Sequence, residues 1–150
     1  FQGYCTRETT GQVYAFGASG ITQLKHAFIQ NVKTTQEYIK SIESGGFAVN
    51  KAYVLSSQDM LCSQIIEAIM CNGFVDLEEV ALQHQLSIEA VFEQTGFKPE
   101  KLRLLVDDGL VKYYKNQVVV SEMGMTVVRN IAMLFDPLIQ NNSAVHSKTI

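Results

Sequence analysis

The sequence changes character at Ser56-Ser57-Gln58-Asp59, and that change limits the fold more than any other feature. Polar residues suited to capping a helix stand there between two apolar stretches of different period. Ahead of them, Val13-Tyr14-Ala15-Phe16 has the β-branched and aromatic content of a strand and runs into the turn Gly17-Ala18-Ser19-Gly20-Ile21. Residues 34–44 read as a short amphipathic helix: Thr34 or Thr35 as N-cap, Glu37 in the first turn, Tyr38, Ile39 and Ile42 on one face, Gly45-Gly46 as the stop. Phe47 to Leu55 alternates weakly. A domain boundary is therefore expected at the polar cluster, separating 1–55 from 56–150.

Behind the boundary the period becomes helical. Met60 to Cys71 is apolar at helical spacing and closes at Asn72-Gly73, and Asp76-Leu77-Glu78-Glu79 opens a second helix ending near Gln85. Ser87 starts a third, stopped by Gly96, and Pro99 takes the first position of a fourth that ends at Gly109. Leu110–Tyr114 and Gln117–Ser121 bracket Lys115-Asn116 as a hairpin, and Met123–Leu134 reads as a closing helix with Val127, Val128, Ile131 and Phe135 as its buried stripe. Helices, a hairpin and a last helix make an α+β chain whose second part has the outline of a winged-helix module. That outline occurs in domains that bind DNA and in domains that bind none, so it does not assign a function.

Charge and composition narrow the partners. The chain is 47% hydrophobic and 18% charged, as globular proteins are. Its 12 Lys+Arg against 15 Asp+Glu leave a net charge of -3, without the basic surface that nucleic acid or an anionic membrane demands. The helix a winged helix would place in a DNA groove sets Lys101 and Arg103 against Glu100, Asp107 and Asp108, and the hairpin offers only Lys112 and Lys115. No apolar stretch approaches the roughly 20 residues of a membrane span.

The three cysteines, Cys5, Cys62 and Cys71, are odd in number and far apart, which points to a reducing compartment and a cytoplasmic protein. Cys62 and Cys71 read as small buried hydrophobes. His26, His84 and His146 are scattered without metal-ligand neighbours, so no metal site is expected, and His84, between two glutamines, is expected to be exposed. Asp107-Asp108-Gly109 resembles a carboxylate pair but falls at a helix end, where a solvated C-terminus explains it. Phe1-Gln2-Gly3-Tyr4 has neither an initiator Met nor a signal-peptide pattern, so the chain is expected to be part of a larger enzyme. Gly17 and Gly20 suit either an ordinary tight turn or a backbone presented to a ligand.

Phe1-Gln2-Gly3-Tyr4, Gly17-Ala18-Ser19-Gly20-Ile21, Leu110-Val111 and Arg129-Asn130-Ile131-Ala132-Met133-Leu134-Phe135-Asp136 resemble, in that order, the C-terminal third of oxygen-independent coproporphyrinogen III oxidases, radical S-adenosylmethionine enzymes of haem biosynthesis. The ending His146-Ser147-Lys148-Thr149-Ile150 is similar to that family's C-terminus. The resemblance implies that 1–55 is the terminal strand and helix segment of a radical-SAM barrel, and that 56–150 is a mainly α, winged-helix-like cap. It implies a [4Fe-4S] cluster and S-adenosylmethionine in the full-length protein, an upstream barrel domain as partner, and oxidative decarboxylation of two propionates of coproporphyrinogen III. Phe1, Gln2 and Ile21 match residues that line a second S-adenosylmethionine in the family: an amide for a polar edge, Phe and Ile for apolar walls.

The departures are equally specific. There is no cysteine triplet and no glycine-rich segment for the first S-adenosylmethionine, and Cys5 stands where the family usually has Thr. Leu61-Cys62-Ser63 replaces a pair of arginines common in the family, which puts a substrate-carboxylate role for that helix in doubt. Arg129 and Asn130 are candidates to take a substrate propionate; the alternative is a structural arginine at the edge of a buried helix. No catalytic residue is expected within the chain, and alone it is expected not to turn over. Residues 1–55, deprived of barrel neighbours, are expected to be displaced, poorly ordered or paired with another copy. A haem-binding relative of the family and a DNA-binding winged helix are the alternative functions.

Overall fold

A computed structural model describes residues 12–141, which divide into two compact units between Ser57 and Gln58. The first unit is a three-stranded antiparallel sheet in the order β1 (Ile21–Leu24), β2 (Ala27–Asn31), β3 (Val49–Val54), with helix α1 (Thr35–Glu43) between β2 and β3. α1 starts where the sequence places it: the Thr34 hydroxyl oxygen accepts from the Glu37 amide at 3.3 Å, and the hydroxyl donates to Glu37 Oε2 at 2.8 Å. This reciprocal pair satisfies amides that a helix start leaves open. Gly45, at φ +75°, ends it.

The sheet has no substantial core of its own. Among the described residues of this unit Ala48 is the buried apolar one, α1 buries nothing, and all six residues of β3 are exposed. Phe16 and Phe47 are 88% and 93% exposed, and Ile39, Ile42, Tyr53 and Val54 are exposed as well.

One expected strand is absent. Val13 makes a single bridge to Gln23, and past it the backbone leaves the ladder because the Ala15 amide donates to Thr22 Oγ1 at 3.0 Å instead of to a neighbouring strand. Composition favoured a strand; a side-chain acceptor took the donor that a ladder needs.

The second unit carries the core. Helix α2 (Ser57–Asn72), ended by Gly73 at φ +63°, leads through β4 (Phe74–Asp76) into α3 (Leu77–Gln83) and α4 (Ile88–Thr95). A 3-10 turn at Pro99–Leu102 continues into α5 (Arg103–Asp107), and β5 (Val111–Tyr114) and β6 (Gln117–Val120) form the hairpin. The sheet order is β4-β6-β5, antiparallel throughout. Lys115 and Asn116 both have positive φ, +47° and +58°, the two-residue turn whose twist suits a hairpin.

Leu61, Ile65 and Ile69 of α2 meet Val91, Phe97, Leu102, Val118, Ile131 and Phe135 in one cluster. Phe97 stacks on Phe135 at 4.1 Å between ring centres and meets Phe92 and Tyr113 edge-on. Ser87 and Gly96 bound α4 as expected, Ser87 Oγ accepting from Ala90 N and Gly96 standing at φ +64°.

Helix α3 is tied to the hairpin through its cap. Asp76 Oδ1 accepts from the amides of Glu78 and Glu79, while Oδ2 accepts from Gln117 Nε2 at 2.7 Å. Asn116 takes Leu77 N on its carbonyl, donates from Nδ2 to Glu78 Oε1 and accepts from the Tyr113 hydroxyl on Oδ1. The Gln117 side chain, with the Glu79 and Glu78 amides, holds the Asp76 carboxyl below its ordinary range. A carboxyl depressed by folding adds stability above its unfolded pKa, about 4, and that stability is lost as pH falls through the lower folded value. Asp76→Ala is therefore expected to cost about 1–2 kcal/mol at pH 7, as the loss of a helix cap does, with the deficit smaller at a pH below the unfolded value of about 4. Urea unfolding at both pH values measures it, and a deficit that stays constant would show that the ionised carboxylate contributes nothing.

The closing segment differs from the single helix expected. A 3-10 turn at Gly124–Val127, helix α6 (Val128–Ala132), a 3-10 turn at Met133–Phe135 and helix α7 (Pro137–Asn141) share it. Val127, at φ -119° and ψ 19°, breaks the helical run, and Thr126 Oγ1 donates back to the Met123 carbonyl. Ile131 and Phe135 are nevertheless fully buried, with Val127 and Val128 half-buried against them. Asp136 both ends one turn and starts the next, its Oδ1 accepting from Leu138 N and Ile139 N. Among the described residues no helix is long and apolar enough to cross a membrane.

Candidate functional site

Local rules position the turn ahead of β1. Gly17 sits at φ +94° and Ser19 at φ +60°, and a Cβ on Gly20 would stand 3.1 Å from that of Ala15 and 3.3 Å from the Phe16 and Gly17 carbonyls. Only glycine takes the first conformation and the third packing without strain. The Ser19 amide donates to Val32 O at 2.7 Å, and Asn31 closes the turn from the other side: its backbone N donates to Gly20 O at 2.9 Å, and Nδ2 to Gly17 O at 2.9 Å and Ala15 O at 3.3 Å. Ile21, half-buried, is the first residue of β1, directly after this fixed loop. An apolar side chain at the mouth of a rigid backbone turn suits a wall for a flat or thioether-bearing ligand.

Phe1 and Gln2, the sequence-predicted companions of Ile21, lie outside the described residues, as do Cys5 and His146. Arg129 and Asn130 belong to the second unit, where both are exposed on α6. At the opposite end of β1 from Ile21, Gln12, Tyr14, Leu24, Lys25, His26 and Ala27 line a shallow open hollow of about 330 Å³.

Metal chemistry has no seat among the described residues, which hold no group of three or more His, Cys, Asp or Glu able to bind an ion. Cys62 is buried on α2, and burial, with Asp136 and Asp59 adding to it, pushes its thiol up to about 11. A cluster ligand must be a thiolate, so this environment opposes the role. The described residues therefore do not fit a [4Fe-4S] cluster. Leu61 and Cys62 are buried, so neither side chain is presented to a ligand there.

His84 is not free in solvent as expected: it is half-buried, with Nε2 2.8 Å from Gln64 Oε1, and Gln64 Nε2 donates to Gln83 Oε1. Asp107, the last residue of α5, and Asp108, its C-cap, are both exposed, as a solvated helix end predicts. Asn31 and Thr22 were not singled out by sequence reasoning. Their partners lie seven or more residues away, and an asparagine ending a strand carries no sign of which carbonyls it will reach.

No family model matches the chain. The oxygen-independent coproporphyrinogen III oxidase of Bradyrhizobium diazoefficiens is 32% identical over 151 residues, covering all of this chain and 32% of that protein. The coproporphyrinogen III oxidase, anaerobic 1, of Cereibacter sphaeroides is 32% identical over 91% of the chain and 29% of its own length. A solved structure of the coproporphyrinogen III oxidase from Escherichia coli, a radical SAM enzyme by its description, matches with a TM-score of 0.75 at 25% identity, over 89% of this chain and 30% of that one. The chain thus spans about a third of the length of these relatives. Along its whole length in sequence and along most of it in fold, the chain is similar to about a third of the length of the oxygen-independent coproporphyrinogen III oxidases, whose C-terminal part it matches.

Proposed function

We propose that the chain works as the C-terminal part of an oxygen-independent coproporphyrinogen III oxidase in the cytoplasm and has no turnover by itself. The carrying observation is the match of its entire length to about a third of a 32% identical relative. In this reading residues 1–55 end a radical-SAM barrel, and residues 56–150 form a winged-helix-like cap over the tetrapyrrole. The order of helices, hairpin and closing turns in 58–141 supports the second assignment. The exposed apolar sheet of the first unit supports the first, since such a surface calls for neighbours.

Ile21, with Phe1 and Gln2, would form an apolar wall and an amide edge for a second S-adenosylmethionine, while the first, which supplies the radical when bound with the [4Fe-4S] cluster, would be held elsewhere in the protein. Arg129 and Asn130, exposed and adjacent on α6, offer charge and an amide to a substrate propionate. Coproporphyrinogen III would be the substrate.

The test is direct. The purified 150-residue chain, reconstituted anaerobically with iron and sulfide and given S-adenosylmethionine, a reductant and coproporphyrinogen III, is expected to form no vinyl product. Turnover by the chain alone would end this division of labour. In the same preparation, size-exclusion chromatography is expected to show self-association through the uncovered sheet of the first unit, and a strictly compact monomer counts against the barrel assignment.

A further inference from the structure

The ladder between β2 and β3 slips at one point. Ala27 through Gln30 pair in register with Val54 through Lys51, then Asn31 pairs with Val49, so β3 carries an extra residue opposite the Gln30–Asn31 step. An irregularity of this kind re-aims the side chains beside it. Here the half-buried Asn31 side chain is directed at the glycine turn, where one NH₂ group bonds two carbonyls, Gly17 O at 2.9 Å and Ala15 O at 3.3 Å. The same residue's amide takes Gly20 O, and the next residue's carbonyl takes Ser19 N. Both sides of the loop are thereby fastened to the end of β2.

The loop needs fastening. Ser19 holds a left-handed φ of +60°, which a residue with a Cβ occupies only at a cost, and Gly17 stands at φ +94°, where a Cβ would meet nothing within 4 Å. Thr22 Oγ1, accepting from Ala15 N, fixes the segment that enters the turn. Asn31 is the side chain among the described residues that bonds the turn itself.

We propose that Asn31 is a positioning residue: by clamping the Gly17–Gly20 turn it sets where Ile21 stands, and through Ile21 it governs the hold on S-adenosylmethionine. The role rests on the reading of Ile21 as a wall of that site. It depends on the donor hydrogens and not on the volume of the side chain. Asn31→Asp keeps the shape and replaces the donor with oxygens that face two carbonyls.

The experiment uses the full 150-residue chain with labelled amides and isoleucine methyls. In the unsubstituted chain the Asn31 side-chain amide and the Ser19 backbone amide are expected to exchange slowly, and the Ile21 methyl signal to shift as S-adenosylmethionine is added. Asn31→Asp at pH 7 is expected to speed Ser19 exchange and to weaken the Ile21 response to S-adenosylmethionine by about tenfold each, the size of one lost hydrogen bond to a group left unpaired. Circular dichroism and the Ile131 methyl signal should stay unchanged.

If Asn31→Asp loosens Ser19 but leaves the Ile21 response intact, the clamp is structural and the positioning role is overturned. Absence of any Ile21 response in the unsubstituted chain overturns the cofactor reading itself and takes the role with it. Should the variant fail to fold, exchange of the Asn31 side-chain amide in the unsubstituted chain still decides: fast exchange there overturns the clamp.

Discussion

Phe97→Ala is expected to cost the second unit about 3–5 kcal/mol, the range for emptying a buried aromatic site. Phe97 is 2% exposed and stands at the centre of the core: its ring stacks on Phe135 and meets Phe92 and Tyr113 at their edges. Removing it leaves a hole bordered by rings that cannot rotate to fill it without losing contacts elsewhere. A domain of this size has about 5–15 kcal/mol in all, so the loss takes a large fraction and puts the variant near unfolding at physiological temperature.

Urea denaturation followed by circular dichroism measures the cost, and Phe97→Leu should recover more than half of it. Phe135→Ala combined with Phe97→Ala should cost less than the sum of the two, because the stacked pair is lost only once. Full additivity would mean that the stack adds nothing beyond burial.

Gly124→Ala is the second large effect, and it acts by crowding. A Cβ on Gly124 would fall far inside van der Waals contact with the Leu110 carbonyl oxygen and 2.8 Å from Val120 Cγ1. The obstacle is backbone, so no rotamer change relieves it. That same carbonyl accepts from the Ser121 amide at 2.9 Å, and the Gly124 amide donates to Ser121 Oγ, so displacing either strand breaks bonds as well as contacts. A loss of about 3 kcal/mol or more is expected, at the upper end of overpacking effects. Gly109→Ala serves as the control. Gly109 has φ +70° with open space around it, so alanine there meets strain alone, about 1 kcal/mol. A smaller loss at Gly124 than at Gly109 would refute the crowding argument.

Both effects depend on contacts between distant residues, and this is also where sequence reasoning stopped. Thr34, Asp76, Ser87, Gly96 and Pro99 were legible because a cap or a turn is decided within four residues of itself. The Lys115-Asn116 hairpin was legible for the same reason. The β1–β2 hairpin was not, since its two-residue turn is Lys25-His26, which carries no glycine or asparagine to announce it. Val13–Phe16 has strand composition but loses its donor to Thr22, a choice that only the folded chain makes. His84 looked like a surface residue until α2 and α3 brought Gln64 within reach.

The site followed the same division. Gly17 and Gly20 marked the turn and Ile21 its exit, whereas Asn31, which holds the turn in place, stands ten or more residues further along.

The two sheets differ in how long each waits for its last strand. In the first unit each strand pairs with the next in the chain, and the sheet is complete once Val54 has been made. In the second, Phe74 of β4 pairs with Val119 of β6, and α3, α4, α5 and β5 are all synthesised between them. At ribosomal speeds of about 5–20 residues per second, β4 spends roughly 2–9 s without its partner. During that interval α2 has nothing but its own turns and the first arriving helices to lie against. Closure of this sheet thus waits for the hairpin that joins β5 to β6.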